Sequence, residues 1–422
     1  MHQATYEKYT AILRKELIPA TGCTEPIALA YAAALGRRLL GCLPERVDAA
    51  ICGSIIKNVK SVVVPGTGGL KGIEAAIAAG LTVGDPDREL EVLSSVTEEG
   101  HAAIAAYMAE KRVRVTHAET AESFDILLTL SAGDNTARVR IAGHHTNVVL
   151  LEKNGQVILE QQTTLEGLQS GGEDAFMSIA EIYEYATTCD LRDAEPVIRQ
   201  QIACNVALSD AGLTGGWGVQ IGKMLMRHSG GVLTRAKARA AAGSDARMSG
   251  CELPAVINSG SGNQGLTITL PIVEYAQTLG SDDETLLRAM IFANLAAIRI
   301  KKEIGCLSAY CGAVTAGCAA GAGIAFLKGA DRSLLEHTIV NGLAILSGTI
   351  CDGAKPSCAA KIAMAVEAGV MGYEMAANGQ EFVHGDGIVK KGIENTIAQI
   401  GALSREGMAV TNDVVLDIML KE

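Results

Sequence analysis

The sequence predicts an α+β protein: a mixed α/β part over residues 1–172 that includes an antiparallel β-meander, then a mostly helical part over residues 173–422. Three observations predict it. Between Val113 and Gln161 apolar and polar residues alternate with the period of two of half-buried strands. After Glu173 apolar residues recur every three or four positions, segment after segment. The chain of 422 residues is 48% hydrophobic but only 4% aromatic, with 47 glycines, so its large core must be built of small residues on closely packed helices.

Taken in order, Thr5–Leu17 reads as a helix, and a second starts near Thr24 with Pro26 in its first turn, where a missing N–H costs nothing. The run VKSVVVPG reads as β-structure ending at the turn-forming Pro65-Gly66. Small-residue helical patterns follow at Lys71–Gly80 and Glu98–Lys111. The meander comes next, with Gly133-Asp134-Asn135 and Asn154-Gly155 supplying hairpin turns. Helical patterns then recur at Ala175–Thr188, Glu195–Leu208, Val219–His228, Glu284–Ile304, Leu334–Leu346, Ala359–Gly369 and Gly387–Ile400. Each internal glycine weakens a helix by about 1 kcal/mol relative to alanine. Their density implies close helix contacts or backbone beside a ligand.

Charge narrows the function. Lys and Arg number 36 against 47 Asp and Glu, a net charge of −11, without basic runs. Phosphate binding needs clustered cations, so nucleic acid and anionic membrane are poor partners. Met1–Glu16 is polar and lacks the apolar core of a secretion signal, which predicts a cytoplasmic protein. The longest uncharged stretch, Ile304–Leu327, is rich in Ala, Gly, Ser and Thr and reads as a buried helical segment rather than a membrane span. Eleven cysteines in such a chain argue for thiols rather than disulfides: some packed as small hydrophobes, the rest available for metal or catalysis.

Several motifs fail. Gly260-Ser261-Gly262-Asn263-Gln264-Gly265 fits G-x-G-x-x-G, but the β-branched LTITLPIV that follows and the helical surroundings do not make a dinucleotide-binding βαβ unit. The loop reads instead as a nest of N–H groups for a small anion, such as a carboxylate, or as a tight structural turn. There is no Walker A sequence, no H-E-x-x-H and no C-x-x-C; the pair His144-His145 reads as turn-capping or solvated.

Sulfur carries the remaining signal. Cys306, Cys311, Cys318, Cys351 and Cys358 cluster in the helical half, and Gly353 with Pro356 makes Cys351–Cys358 a short irregular loop with a thiol at each end. Thiolates at such spacing suit zinc or an iron–sulfur cluster, although two cysteines seven apart also arise by chance. Near the N-terminus, Cys23 precedes a helix whose free N–H groups favour a thiolate, while Glu25 opposes it; a buried thiol in a tight turn is the alternative.

Four stretches together, GCTEP at Gly22–Pro26, VPGTGGLKG at Val64–Gly72, NSGSGNQG at Asn258–Gly265 and the trio Cys311, Cys351 and Cys358, resemble the L-cysteine desulfidases, relatives of the alpha part of iron–sulfur L-serine dehydratases. The resemblance extends over essentially the whole chain. It implies one 4Fe–4S cluster held by Cys311, Cys351 and Cys358, with no pyridoxal phosphate and no nucleotide, and Cys23 as the catalytic acid/base. Cys306 and Cys318 flank Cys311 and leave a swapped ligand open.

Three thiolates on four irons leave one iron open to bind the thiolate of L-cysteine, which would be degraded to pyruvate, ammonia and hydrogen sulfide. Ser259, Gly260, Ser261 and Asn263 are the candidates for the substrate carboxylate, Asn58 and Asn147 for further polar contacts. An L-serine dehydratase with the same centre, a non-catalytic iron–sulfur redox sensor and a metal-free helical protein are the competing readings. The Ala/Gly-rich helix faces suit a homodimer.

Overall fold

The computed structural model describes residues 1–120, 122–161, 177–228, 230–305 and 307–421. The 172/173 division, the start of the helix expected from Ala175, and Cys306 therefore lie outside the described residues. Chain order begins α1 (Gln3–Glu16), β1 (Pro19–Thr21), α2 (Thr24–Leu40), β2 (Arg46–Ile51), α3 (Gly53–Val59), α4 (Ile73–Val83), α5 (Glu98–Ala109) and β3 (Val113–His117). The strands β4 (Asp125–Ala132), β5 (Asn135–Ala142), β6 (Val148–Lys153) and β7 (Gln156–Glu160) follow. Then come α6 (Ile179–Thr188), α7 (Leu191–Thr214), α8 (Ile221–Met226), α9 (Val232–Met248), β8 (Pro254–Val256), α10 (Gly262–Leu279) and α11 (Asp283–Ile304). The helices α12 (Gly312–Leu327), α13 (Arg332–Leu346), α14 (Cys358–Ala377), α15 (Ile393–Ala402) and α16 (Ala409–Leu420) complete the α+β fold.

The larger sheet has the order β3-β2-β4-β5-β6-β7. Strands β4 to β7 form the expected antiparallel meander. Strand β3 departs from it: β2 lies between β3 and β4, parallel to β3 and antiparallel to β4. Alternation marks β3 as a strand but cannot say which strand it pairs with, because pairing is a long-range contact.

The run read as β around VKSVVVPG is also corrected. Its first residue ends α3, and only Val63 makes a bridge, to Lys71. Glycines 66, 68, 69 and 72 all have positive φ and fold VPGTGGLKG into a closed turn, with the Val64 N–H donating to the Leu70 carbonyl at 2.9 Å. Val62 and Val64 are fully buried, so these β-branched residues serve the core and not a ladder. LTITLPIV, despite the same β-branched character, lies inside α10; nearly every side chain there is buried, and Thr267 and Thr269 return their hydroxyls to the carbonyls four residues back. Packing overrides propensity when a helix is buried all round.

Two hydrophobic cores result, one around the sheet with α2 and α4, one among the helices of the second half. The chain ends exchange between them: Tyr9, Leu13 and Leu17 at the N-terminal end join the helical core, and Leu416 of α16 joins the sheet core. Strand β1 pairs antiparallel with β8, Pro19 opposite Val256 and Thr21 opposite Pro254. That pairing sets the GCTEP turn beside the NSGSGNQG loop. Among the described residues no helix is long and apolar enough to cross a membrane.

The glycines expected to mark close contacts do so between α12 and α14. A Cβ on Gly317 would meet the Ala365 backbone, and one on Gly321 the Gly369 backbone. Both contacts advance by four residues on each helix, so the two helices run parallel and in step. Their N-termini, carrying Cys311 and Cys358, therefore lie side by side.

Candidate active site

Helix N-termini build the site. Cys23 is the N-cap of α2, Ser261 of α10 and Cys311 of α12, and none of them uses its side chain to cap; Cys358 opens α14. Residues from all four helix starts line one cavity of about 110 Å³. Each helix start contributes roughly half a positive charge and several unpaired N–H groups, so the cavity is made for anions. Arg247, Lys301 and Lys361 add charge, and Glu25 is the one carboxylate among the described lining residues.

Tertiary contacts hold each piece. Gly22 sits at φ +69, and a Cβ there would run into the Pro65 ring, so the VPGTGG turn backs the GCTEP turn directly. The Thr24 hydroxyl donates to the Gly260 carbonyl at 2.8 Å, tying GCTEP to the second loop. Asn258, fully buried, donates to Asn294 Oδ1 at 2.9 Å and anchors that loop to α11.

The sulfurs are brought together by a short antiparallel bridge between Tyr310 and Ile350. The Cys311 N–H donates to the Thr349 carbonyl at 3.0 Å and the Cys351 N–H to the Ala309 carbonyl at 2.6 Å, which puts these two cysteines next to each other. Gly353, at φ +94, lies so close to the Lys57 carbonyl that no side chain fits. Lys57, 1% exposed, donates to the Cys351 carbonyl at 3.2 Å and to Asn412 of α16 at 2.6 Å. The Cys351–Cys358 loop is thus clamped onto α3.

All three thiols are half-buried and free of disulfides. The backbone N–H groups of Ala313, Gly353 and Lys355 lower Cys311, Cys351 and Cys358 respectively, and the Cys358 thiol donates to the Gly353 carbonyl at 3.7 Å. The adjacent Cys311 and Cys351 sulfurs act on each other, raising Cys311 and lowering Cys351, with Lys57 and Lys301 lowering Cys351 further. Burial raises Cys358. Among the described residues no group of three or more His, Cys, Asp or Glu side chains closes on a point, as a single ion requires. A four-iron cubane asks for something else, because its thiolates bind different irons around a shared space. Three N–H-supported sulfurs flanked by lysines and lining a common cavity fit that group.

Cys23 lines the same cavity although 288 positions separate it from Cys311. The expectation of a helix-stabilised thiolate is offset: burial pushes Cys23 up to about 12, Arg247 pulls it down, and Glu25 and Cys358 push it up again. Its sulfur contacts the Met248 sulfur at 3.7 Å. Ser259, Gly260, Ser261, Asn263 and Asn58 line the cavity as well. Asn147 does not; its amide donates to the Ala142 carbonyl within the β5–β6 turn. Cys318 is fully buried within α12 against Gly342 and is absent from the lining.

Reading the sequence alone missed Arg247 and misassigned His145. Arg247 is 3% exposed in a stretch of alanines, glycine and serine, and a charge inside such a stretch is the signal that could have marked it. His145 is no solvated turn residue. It is 5% exposed, edge-on to Phe124 and packed against Gly260, and nothing local in the sequence marks it. Five buried polar atoms on the cavity wall have no hydrogen-bond partner among the described residues: Arg247 Nε, His145 Nε2, Asn58 Oδ1, Asn263 Oδ1 and Tyr310 Oη. Orphaned polar atoms are costly, and five around one cavity mark the place of a polar ligand.

His145 also makes a stability prediction. Burial lowers it from 6.5 to about 4, with His144 and Arg247 acting the same way and Glu25 opposing. A histidine kept neutral stabilises fully above its unfolded pKa of 6.5, and that contribution is lost as pH falls towards 4. At about 1.4 kcal/mol per pH unit the loss is roughly 3 kcal/mol. Denaturant unfolding at pH 7 and pH 4 should show the wild type losing that much more than His145→Gln; equal losses would exclude His145 as the source.

Fold and site together define an α+β protein with a thiol-lined, cationic small-molecule cavity between two cores. The chain belongs to the serine dehydratase alpha chain family, whose model matches residues 87–417. It is 49% identical over 418 residues to a UPF0597 protein of Desulfitobacterium hafniense, covering 99% of this chain and 97% of that one. UPF0597 proteins of Finegoldia magna and Lachnoclostridium phytofermentans are 48% and 45% identical, each matched over its full length and over 99% and 98% of this chain.

Proposed function

We propose that the chain is an iron–sulfur-dependent lyase that degrades L-cysteine to pyruvate, ammonia and hydrogen sulfide. The observation that carries this reading is the shared cavity: three cysteines lining it, a fourth thiol in the cluster that Cys358 packs against, and five orphaned polar atoms on its wall. Cys311, Cys351 and Cys358 would hold one 4Fe–4S cluster, which when bound supplies an open iron as Lewis acid for the leaving sulfur. At about 110 Å³ the cavity is well below the roughly 300–1,000 Å³ of drug-sized sites, as a small amino acid requires.

The chain's own residues account for the rest. The reaction breaks the Cα–H and Cβ–S bonds, and Cys23 Sγ is the base that takes the Cα proton. Its burial keeps most of it protonated near neutrality, and Arg247 is the group that favours the thiolate. Asn58 Nδ2 donates to Glu25 Oε1 at 2.9 Å and holds that carboxylate at the cavity, where it can face the substrate ammonium. Loss of sulfide leaves aminoacrylate, which hydrolyses to pyruvate and ammonia without further help.

The family description supports a second reading, L-serine dehydratase, on the same residues. Sulfide release from L-cysteine and pyruvate release from L-serine, measured side by side on anaerobic protein, separate the two. Faster turnover of L-cysteine is the expected result. Faster turnover of L-serine overturns the desulfidase reading, and no turnover of either leaves the redox sensor.

A further inference from the structure

Arg247 has a buried charge and, among the described residues, no ion-pair partner. It stands next to last in α9, 3% exposed, and forms no ion pair with any described residue; its Nε lacks any hydrogen-bond partner. Removing a guanidinium from water is costly, and folded proteins offset that with a carboxylate or a bound anion. The one carboxylate among the described lining residues is already engaged: Glu25 accepts from Asn58 Nδ2 at 2.9 Å. Arg247 therefore waits for an anion from outside.

The first turn of α10 faces it. Gly262 presses so closely on the guanidinium that a Cβ there would collide with Nε. Ser261, the N-cap, leaves the helix N–H groups without a side-chain acceptor. A planar fork of N–H donors beside a helix N-terminus matches a carboxylate in charge and in shape. Among the orphaned oxygens Asn58 Oδ1 is an acceptor and suits an ammonium, as does Glu25. The cavity thus offers donors for one end of an amino acid and acceptors for the other.

We propose that Arg247, with the first turn of α10, is the carboxylate anchor of this site and restricts it to amino acids with a free α-carboxylate. The inference rests on the reading of the cavity as an amino-acid site. Its test uses binding, so that it does not depend on turnover.

L-alanine, which has no leaving group, and L-alaninamide, which has no carboxylate, are titrated into anaerobic full-length protein by calorimetry. Wild type should bind L-alanine well and the amide only weakly. Arg247→Met should weaken L-alanine about a hundredfold, as expected for a lost charge-assisted pair, and should leave the cluster's visible absorbance and the weak amide binding unchanged. Arg247→Lys keeps the buried charge without the fork and should fall between. Gly262→Ala, which pushes on the same guanidinium and keeps every charge, covers the case in which Arg247→Met does not fold; it should weaken L-alanine as well. Wild-type affinity in the Arg247 and Gly262 variants overturns the anchor and spares the proposed function. A wild type that binds neither ligand overturns both.

Discussion

Cys351→Ser is expected to give a colourless and inactive protein after anaerobic purification. On the proposed function Cys351 is the middle of three cluster ligands, and its sulfur is the one the surroundings prepare best. The neighbouring Cys311 thiol, the Gly353 N–H, Lys57 and Lys301 all favour its charged form. A serine hydroxyl is a hard donor, far less acidic than a thiol, and binds iron–sulfur clusters poorly. The fold should survive, because the clamp on this loop runs through backbone: the Cys351 carbonyl to Lys57, the Cys351 N–H to Ala309 and Gly353 against α3. Visible absorbance, iron and sulfide content, and sulfide release from L-cysteine are the measurements. A colourless variant with full activity would remove the cluster from the mechanism.

Cys23→Ala should keep the colour and lose turnover by roughly 10²–10⁴-fold, the usual worth of a positioned proton acceptor. The substitution removes one sulfur from a small cluster with Val62 and Met248 and adds no atoms, so it should fold. Loss of iron in this variant would make Cys23 a ligand and not the base. The wild type adds a second measurement. With Cys23 pushed up to about 12, its thiolate fraction rises tenfold per pH unit through the neutral and mildly alkaline range. The logarithm of kcat should climb with unit slope there; a flat profile rules out this thiol as the rate-determining base.

Much of the fold is legible in local pattern. The hairpins at Gly133 and Asn154-Gly155 fall where turn chemistry puts them, with Gly133, Asn154 and Gly155 all at positive φ. Helices such as Asp283–Ile304 and Arg332–Leu346 lie close to their predicted ranges because their apolar stripes repeat with helical period. The failures share one cause. Val62 and Val64 look like strand and lie in a closed turn, and Thr267 to Val273 look like strand and lie in a buried helix. In each case β-branched side chains were placed by burial, which depends on what packs against them.

The candidate site divides the same way. Sulfur at 23, 311, 351 and 358 and the glycine-rich loop at 258–265 stand out in a linear chain because thiols and positive-φ turns are chemically distinctive wherever they occur. Arginine and histidine are not distinctive by type. Arg247 and His145 became significant only when the fold buried them, withheld their partners and turned them towards one cavity. The sequence by itself determined which thiols and turns exist and which segments carry a helical or alternating stripe, since those properties depend on neighbours a few residues away. The tertiary structure alone decided that residue 23 shares a cavity with residues 311, 351 and 358 and that Arg247 has no counter-ion among the described residues, since burial and electrostatic isolation are sums over contacts between parts of the chain hundreds of residues apart.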